Sequence, residues 1–149
     1  MGLLDSDAEE PKSKVLRWSI TVLLLVVLSG LTAWFFLRYQ TEKTTAAQFF
    51  AALAAGDTKR AYELWKPGES YTYERFLEDW GPSGEYGPVG SFRIVAAHRP
   101  TDRRTRMAAS GVVVVVEISP RAPFDASTPG IQEVQIWVER RDQSLSFPP

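Results

Sequence analysis

The side chains that could carry out acid–base or covalent chemistry are few in this chain of 149 residues. His98 is the single histidine and there is no cysteine, which excludes thiolate catalysis and cysteine-based metal sites. One imidazole cannot form a histidine pair or a facial metal triad. Tyr62, Tyr71 and Tyr73 could donate protons, but such tyrosines are more typical of a core and its rim. We therefore predict that the protein is not an enzyme and has no catalytic residue, metal or cofactor.

His98 ends a segment that the sequence predicts to be a half-buried strand, with Phe92, Ile94, Ala96 and His98 on one face and Arg93, Val95 and Ala97 on the other. At that position it could face a pocket together with Tyr62 and Trp137, and a small molecule would then be the ligand. The alternative is a histidine at the end of a strand that bonds to backbone or water. The sequence leaves both interpretations open.

The one concentrated charge lies between two predicted strands and consists of Arg99, Arg103, Arg104 and Arg106. Such a cluster could contact anionic lipid headgroups or the acidic surface of a partner. The alternative is a solvated hairpin tip whose charge discourages aggregation.

An uncharged run from Trp18 to Leu37 lies between Arg17 and Arg38. Its twenty residues would form a helix of roughly 30 Å, which matches the hydrocarbon core of a bilayer. The run exceeds the apolar region of a cleaved signal peptide and no A-x-A-like site follows it, so we predict an uncleaved anchor. The residues expected at the two membrane interfaces are Arg17, Trp18, Trp34, Arg38 and Tyr39.

Small residues lie together within this span. Ser29 and Ala33 are four residues apart with Gly30 beside them, a spacing that lets another helix backbone approach closely. The span contains no ionisable side chain, so it offers neither a proton relay nor a haem ligand. We predict an anchor or packing element whose partners are the lipid bilayer and other membrane protein subunits.

The chain therefore divides into a tail over residues 1–17, a transmembrane helix over residues 18–38 and an extramembrane domain over residues 39–149. The domain carries thirteen basic and fourteen acidic side chains. It lacks the basic field that nucleic-acid binding needs, so we expect no nucleic-acid partner.

The orientation of the span follows from the basic residues on its two sides. Lys12, Lys14 and Arg17 precede it, whereas Arg38 and Lys43 follow it. The positive-inside rule then places the tail in the cytoplasm and the domain in the periplasm, at a bacterial inner membrane.

Within the domain, apolar residues at helical spacing predict three helices, and a spacing of two then predicts four strands. Five consecutive valines, residues 112–116, indicate a strand that is buried on both faces. The fold class is α+β, with three helices packed on one face of a curved, four-stranded antiparallel sheet. The residues expected to begin or end the helices are Thr44 or Thr45, Gly56, Asp57, Pro67, Tyr73 and Trp80.

The domain resembles the NTF2-like superfamily, in particular its bacterial envelope members with one membrane anchor. The matching residues are Ala46–Leu53 (AAQFFAAL), the Gly56-Asp57 step and Ala61–Leu64 (AYEL). The resemblance implies a cone-shaped α+β fold. Enzymes of this superfamily place Asp, Tyr or His inside the cone, and this chain has no matching constellation.

Three functions are consistent with these features. The first is a non-catalytic, single-span accessory subunit or assembly factor of a larger membrane complex, for example a respiratory or photosynthetic one. The second is a membrane-anchored protein that binds a ligand in the apolar cone interior, which requires a closed pocket of a few hundred Å³. The third is an isomerase or hydrolase, which requires two convergent titratable groups in such a pocket.

Overall fold

The computed structural model describes residues 10–108, 110–121 and 130–149. Within these ranges it describes the side chains from Lys14 onward, except that of Ala108. The first nine residues of the predicted tail and the Pro-rich segment 122–129 lie outside this range. The chain forms two compact units, one up to Arg38 and the other from Tyr39 to Pro149.

The first unit contains one long helix, α1 (Glu10–Leu37). It begins two turns before the predicted span, and Pro11 lies in its first turn, where a missing N–H breaks no helical bond. Ser19, Thr21 and Thr32 donate to the carbonyl oxygens four residues earlier, so their hydroxyls are satisfied within the helix. With a mean hydropathy of 2.4 over 18 residues and none of them buried, α1 is long and apolar enough to cross a membrane.

The second unit opens with α2 (Gln40–Ala54). The prediction that Thr44 or Thr45 begins this helix is wrong. Both threonines lie inside it, and their hydroxyls donate to the carbonyl oxygens of Gln40 and Thr41, at 2.7 and 3.1 Å. The first turn of the helix instead contains Glu42, a position at which a carboxylate is favourable, and Arg140 donates a hydrogen bond to it.

Two shorter helices follow, α3 (Thr58–Trp65) and α4 (Tyr73–Trp80). Asp57 accepts a hydrogen bond from the N–H of Arg60 at 3.0 Å, which confirms its predicted role as an N-cap. Gly56, with φ of 78°, supplies the left-handed residue that ends α2. The bounds of α4 also agree with the prediction.

The strands are β1 (Val89–His98), β2 (Val112–Pro120), β3 (Gln132–Val138) and β4 (Leu145–Ser146). In the described part of the chain they form one antiparallel sheet in the order β1-β2-β3-β4, which confirms the α+β class and the meander. The count of three helices in this unit needs correction. Residues predicted as a turn between β1 and β2 form a further short helix, α5 (Arg103–Ala108), which Asp102 caps.

A β-bulge between Ile94 and Ala96 changes the phase of β1. Ile94 lies opposite Val116 on the helix side, whereas Ala96 lies opposite Val115 on the other face. The sequence predicts a single apolar face through His98, and the extra residue moves the end of the strand to the opposite face.

The core lies between the helices and one face of the sheet. All five valines of residues 112–116 are buried, as the sequence predicts. Alternate ones face the helices, and the side chains at positions 113 and 115 form a second, smaller cluster with Trp137. The sheet is therefore buried on both sides along its central strand.

Candidate functional site

Aromatic rings fill the space between the helices and the sheet. The ring of Phe49 lies at the centre, with centroids 5.0 Å from Trp65 and 5.1 Å from Trp80. Phe50 and Phe76 approach the same ring at 5.1 and 6.2 Å, mostly edge to face. All five side chains are buried. These rings occupy the volume in which the ligand-binding hypothesis places its pocket.

The tyrosines of α3 and α4 link the helices to one another. Tyr62 donates to the carbonyl oxygen of Tyr71 at 2.9 Å, and Tyr73 shares a 2.8 Å hydrogen bond with Thr58. Tyr71 in turn donates to Asp79. Burial raises the pKa of Tyr71, and the neighbouring Asp79 carboxylate raises it further. The phenol therefore keeps its proton at neutral pH, as a structural donor does.

The structure does not bring the three predicted pocket residues together. Tyr62 packs against the core on the helix side. His98 lies opposite Val113, and Val113 lies opposite Trp137, so these residues share the other face of the sheet. The Nδ1 atom of His98 is 2.8 Å from the carbonyl oxygen of Arg99. This contact is the backbone bond that the alternative interpretation of His98 expects.

Tyr62 does not line a closed pocket with His98 and Trp137 but borders a surface depression of about 260 Å³. Lys59, Glu63 and Tyr73 line the rest of it. Lys59 and Glu63 are exposed, so this depression lies on the outer surface of the helical layer.

On the other face of the sheet, Trp137 is only 6% exposed and packs beside Val113 and Val115. The backbone of Gly111 lies directly against its indole ring. Ser110 donates to Glu139 and lowers the pKa of that carboxyl. The segment that enters β2 therefore covers Trp137, and covers it closely enough to require glycine.

Replacing Gly111 by alanine is expected to destabilise the domain by about 1–3 kcal/mol, because overpacking forces neighbouring groups to move. The new Cβ would lie 2.1 Å from the indole Cε2 of Trp137. A matched control is Gly68→Ala, whose Cβ meets nothing within 4 Å and which should leave stability unchanged. Thermal unfolding of the full chain in detergent measures both, and equal effects would contradict the close contact.

The arginine patch, defined as Arg99, Arg103, Arg104 and Arg106, is exposed throughout. Asp102 fixes the start of α5 by accepting from the N–H and the hydroxyl of Thr105, at 2.8 and 3.0 Å. These bonds lower the pKa of the Asp102 carboxyl. Arg106 donates to the carbonyl oxygen of Thr101 at 3.0 Å. No ion pair within the described ranges involves a member of the patch.

A buried ion pair, which the sequence analysis missed, joins the start of α2 to the turn after β3. The Nε atom of Arg140 lies 2.7 Å from Glu42 Oε1, and the Glu42 side chain is 6% exposed. The guanidinium also lies over the ring of Tyr39, 5.4 Å from its centroid. The Thr45 hydroxyl shares its one proton between the carbonyl oxygen of Thr41 and the Oε1 atom of Gln143, which lies 2.7 Å away in the same turn. No local pattern could reveal this pair, since its members are 98 residues apart.

The residues predicted at the membrane interfaces fall into two groups: four belong to the first unit, and Tyr39 belongs to the second. Arg38 lies over the rings of Trp34 and Phe35, 5.4 and 4.9 Å from their centroids, and Trp18 near the other end is exposed. Arg17 is exposed on the same helix. Tyr39, in contrast, is 7% exposed and belongs to the domain core.

The proposed packing face of α1, Ser29, Gly30 and Ala33, is exposed along its length. A Cβ added at Gly30 would meet nothing within 4 Å. The face is therefore available for the close approach of another helix.

No group of three or more His, Asp or Glu side chains that could hold a metal ion occurs among the described residues. Comparison of the chain with family models, curated proteins and solved structures gives no match.

Proposed function

We propose that this protein is a single-span accessory subunit or assembly factor of a larger membrane complex, without catalytic activity of its own. The observation that carries the proposal is the aromatic interior around Phe49, in which the side chains pack on one another at 5.0–6.2 Å. Since these rings fill the core and leave no ligand pocket between them, we place the domain's function on its surface and in its membrane anchor, α1.

The proposal extends to the fold family and the topology. Helices α2–α4 on one face of a four-stranded meander, together with the Gly56-Asp57 step, support an NTF2-like domain. The basic residues before the uncharged run, Lys12, Lys14 and Arg17, support a cytoplasmic N-terminus and a periplasmic domain at a bacterial inner membrane. The domain would then buttress the part of the complex outside the bilayer.

The helix α1 supplies the contact within the bilayer. Between helices in lipid, close packing replaces the hydrophobic effect as the source of association, and small residues allow it. Ser29, Gly30 and Ala33 form such a face. We propose that a transmembrane helix of another subunit docks there.

Native electrophoresis after extraction in mild detergent tests the proposal. The chain should migrate far above its own mass of 16.7 kDa. The double variant Gly30→Leu/Ala33→Leu should move it to a much smaller species, because the added side chains keep the partner backbone away. Leu31→Phe adds bulk on the opposite side of α1 and should leave the large species intact. A lone species near 17 kDa from native membranes would count against an accessory role.

A further inference from the structure

The arginine patch stands out against the charge of the rest of the domain. The other charged side chains of residues 39–149 are nine basic and fourteen acidic, so the remainder carries a net negative charge. An anionic surface therefore attracts the patch and repels the rest of the domain. This charge asymmetry turns the domain so that α5 faces the anionic surface.

An apolar side chain accompanies the charges. Met107 is 79% exposed, the highest value among the large apolar side chains in the described part of the chain, those of α1 included. It follows Arg103 by four positions in α5, so both project from the same side of the helix. Exposed cations beside an exposed apolar side chain are typical of segments at a membrane surface, where cations contact phosphates and apolar groups enter the acyl boundary.

We propose that the arginine patch and Met107 bind the headgroups of anionic phospholipids in the same membrane that holds α1. The tether keeps the domain beside a bilayer, which makes lipid headgroups the anions present at the highest effective concentration. Met107 favours lipid over an acidic protein surface, because it gains from burial in the acyl boundary. This inference rests on α1 lying in lipid and does not depend on an accessory role.

The full chain in nanodiscs tests the proposal. Because the protein has no cysteine, Thr101→Cys gives one labelling site beside the patch, and Ser70→Cys gives a control site on the α3–α4 loop. Quenching of a fluorophore at these sites by headgroup-labelled lipid reports contact with the bilayer. Discs of phosphatidylcholine alone are compared with discs that hold equal amounts of phosphatidylcholine and phosphatidylglycerol.

We expect quenching at position 101, and not at position 70, only in the discs that contain phosphatidylglycerol. The triple variant Arg103→Gln/Arg104→Gln/Arg106→Gln should lower the ratio of bound to free domain by about 100-fold, which is about fivefold for each arginine. Salt at about 0.5 M should weaken the contact in the unmodified chain, because screening shortens the reach of the charges. Met107→Ser should weaken it by a smaller factor.

The matched control removes three basic side chains elsewhere, in Lys59→Gln/Arg60→Gln/Arg75→Gln. Circular dichroism establishes that both triple variants keep the fold. Equal loss in the two triple variants would overturn the proposal, and so would equal quenching in the two kinds of disc. If lipid has no effect but the Arg103/Arg104/Arg106 variant loses a protein that co-purifies from native membranes, the patch binds an acidic protein instead.

Discussion

Replacing Phe49 by alanine is expected to destabilise the domain by about 4 kcal/mol. The ring is fully buried and contacts four other aromatic side chains, so its removal leaves a cavity that the surrounding rings cannot close. A loss of this size is a large share of the 5–15 kcal/mol that typically separates folded from unfolded domains, so it brings the domain close to unfolding. Urea unfolding of the full chain in detergent, followed by near-ultraviolet circular dichroism, measures the change.

Phe36→Ala is the matched control for this prediction. Phe36 belongs to α1 and is 65% exposed, so the same substitution there should not change the unfolding of the domain. If Phe49→Ala and Phe36→Ala have the same effect on the domain, the ring cluster is not its core, and the proposal that function resides on the surface loses its main support.

The elements that the sequence predicts correctly are those with a local signal. The apolar residues of α4 recur at Tyr73, Phe76, Leu77 and Trp80, and the helix has these bounds. Asp57 lies directly before a helix and caps it. In each case the residues that decide the structure are neighbours in the chain, so a pattern over a few residues is enough.

The position of His98 depends on a contact between strands and could not be predicted from its own segment. The alternation from Phe92 onward is regular, yet one extra residue at the bulge turns Ala96 and His98 to the other face. The bulge brings Ala97 opposite Val114 in the helix-facing layer. Nothing in the sequence of β1 alone indicates that it contains a bulge.

The start of α2 shows the same limit. Thr44 and Thr45 are good N-caps by type, and a prediction from the local sequence selects them. In the structure both threonines lie inside the helix, and the first turn instead holds Glu42, whose partner Arg140 lies near the end of the chain. A contact across 98 residues therefore links the first turn of this helix to the turn after β3, and no local pattern predicts it.

The arginine patch is a candidate site that can be defined from the sequence alone, and its role stays a prediction. Its members are close in the chain, and a charge cluster between two strands needs no tertiary contact to be recognised. What the sequence could not provide is the helical form of α5, which places Met107 beside the charges. That arrangement is what favours a lipid surface over a solvated turn.

The second large effect on stability is expected from breaking the ion pair between Glu42 and Arg140. Arg140→Met should destabilise the domain by about 3 kcal/mol, because it leaves the Glu42 carboxylate buried without its partner. Glu42→Leu should cost less, about 2 kcal/mol, since the Arg140 side chain is 34% exposed and its guanidinium can turn toward water. The double variant Glu42→Leu/Arg140→Met should lie within about 1 kcal/mol of the unmodified chain, because replacing a buried pair by apolar groups is often nearly neutral.

The free energies of unfolding of these three variants form a double-mutant cycle, which is compared with the effect of breaking an exposed ion pair. Arg60 and Glu63 form an exposed pair, with side chains 60% and 68% exposed, so Glu63→Gln should cost at most about 0.5 kcal/mol. If the two single variants of the buried pair each cost as little as that, Glu42 and Arg140 do not fix the turn after β3 to α2. Additive effects in the cycle would contradict the pairing even if both single variants are destabilised, since coupling between contacting residues is what the cycle measures.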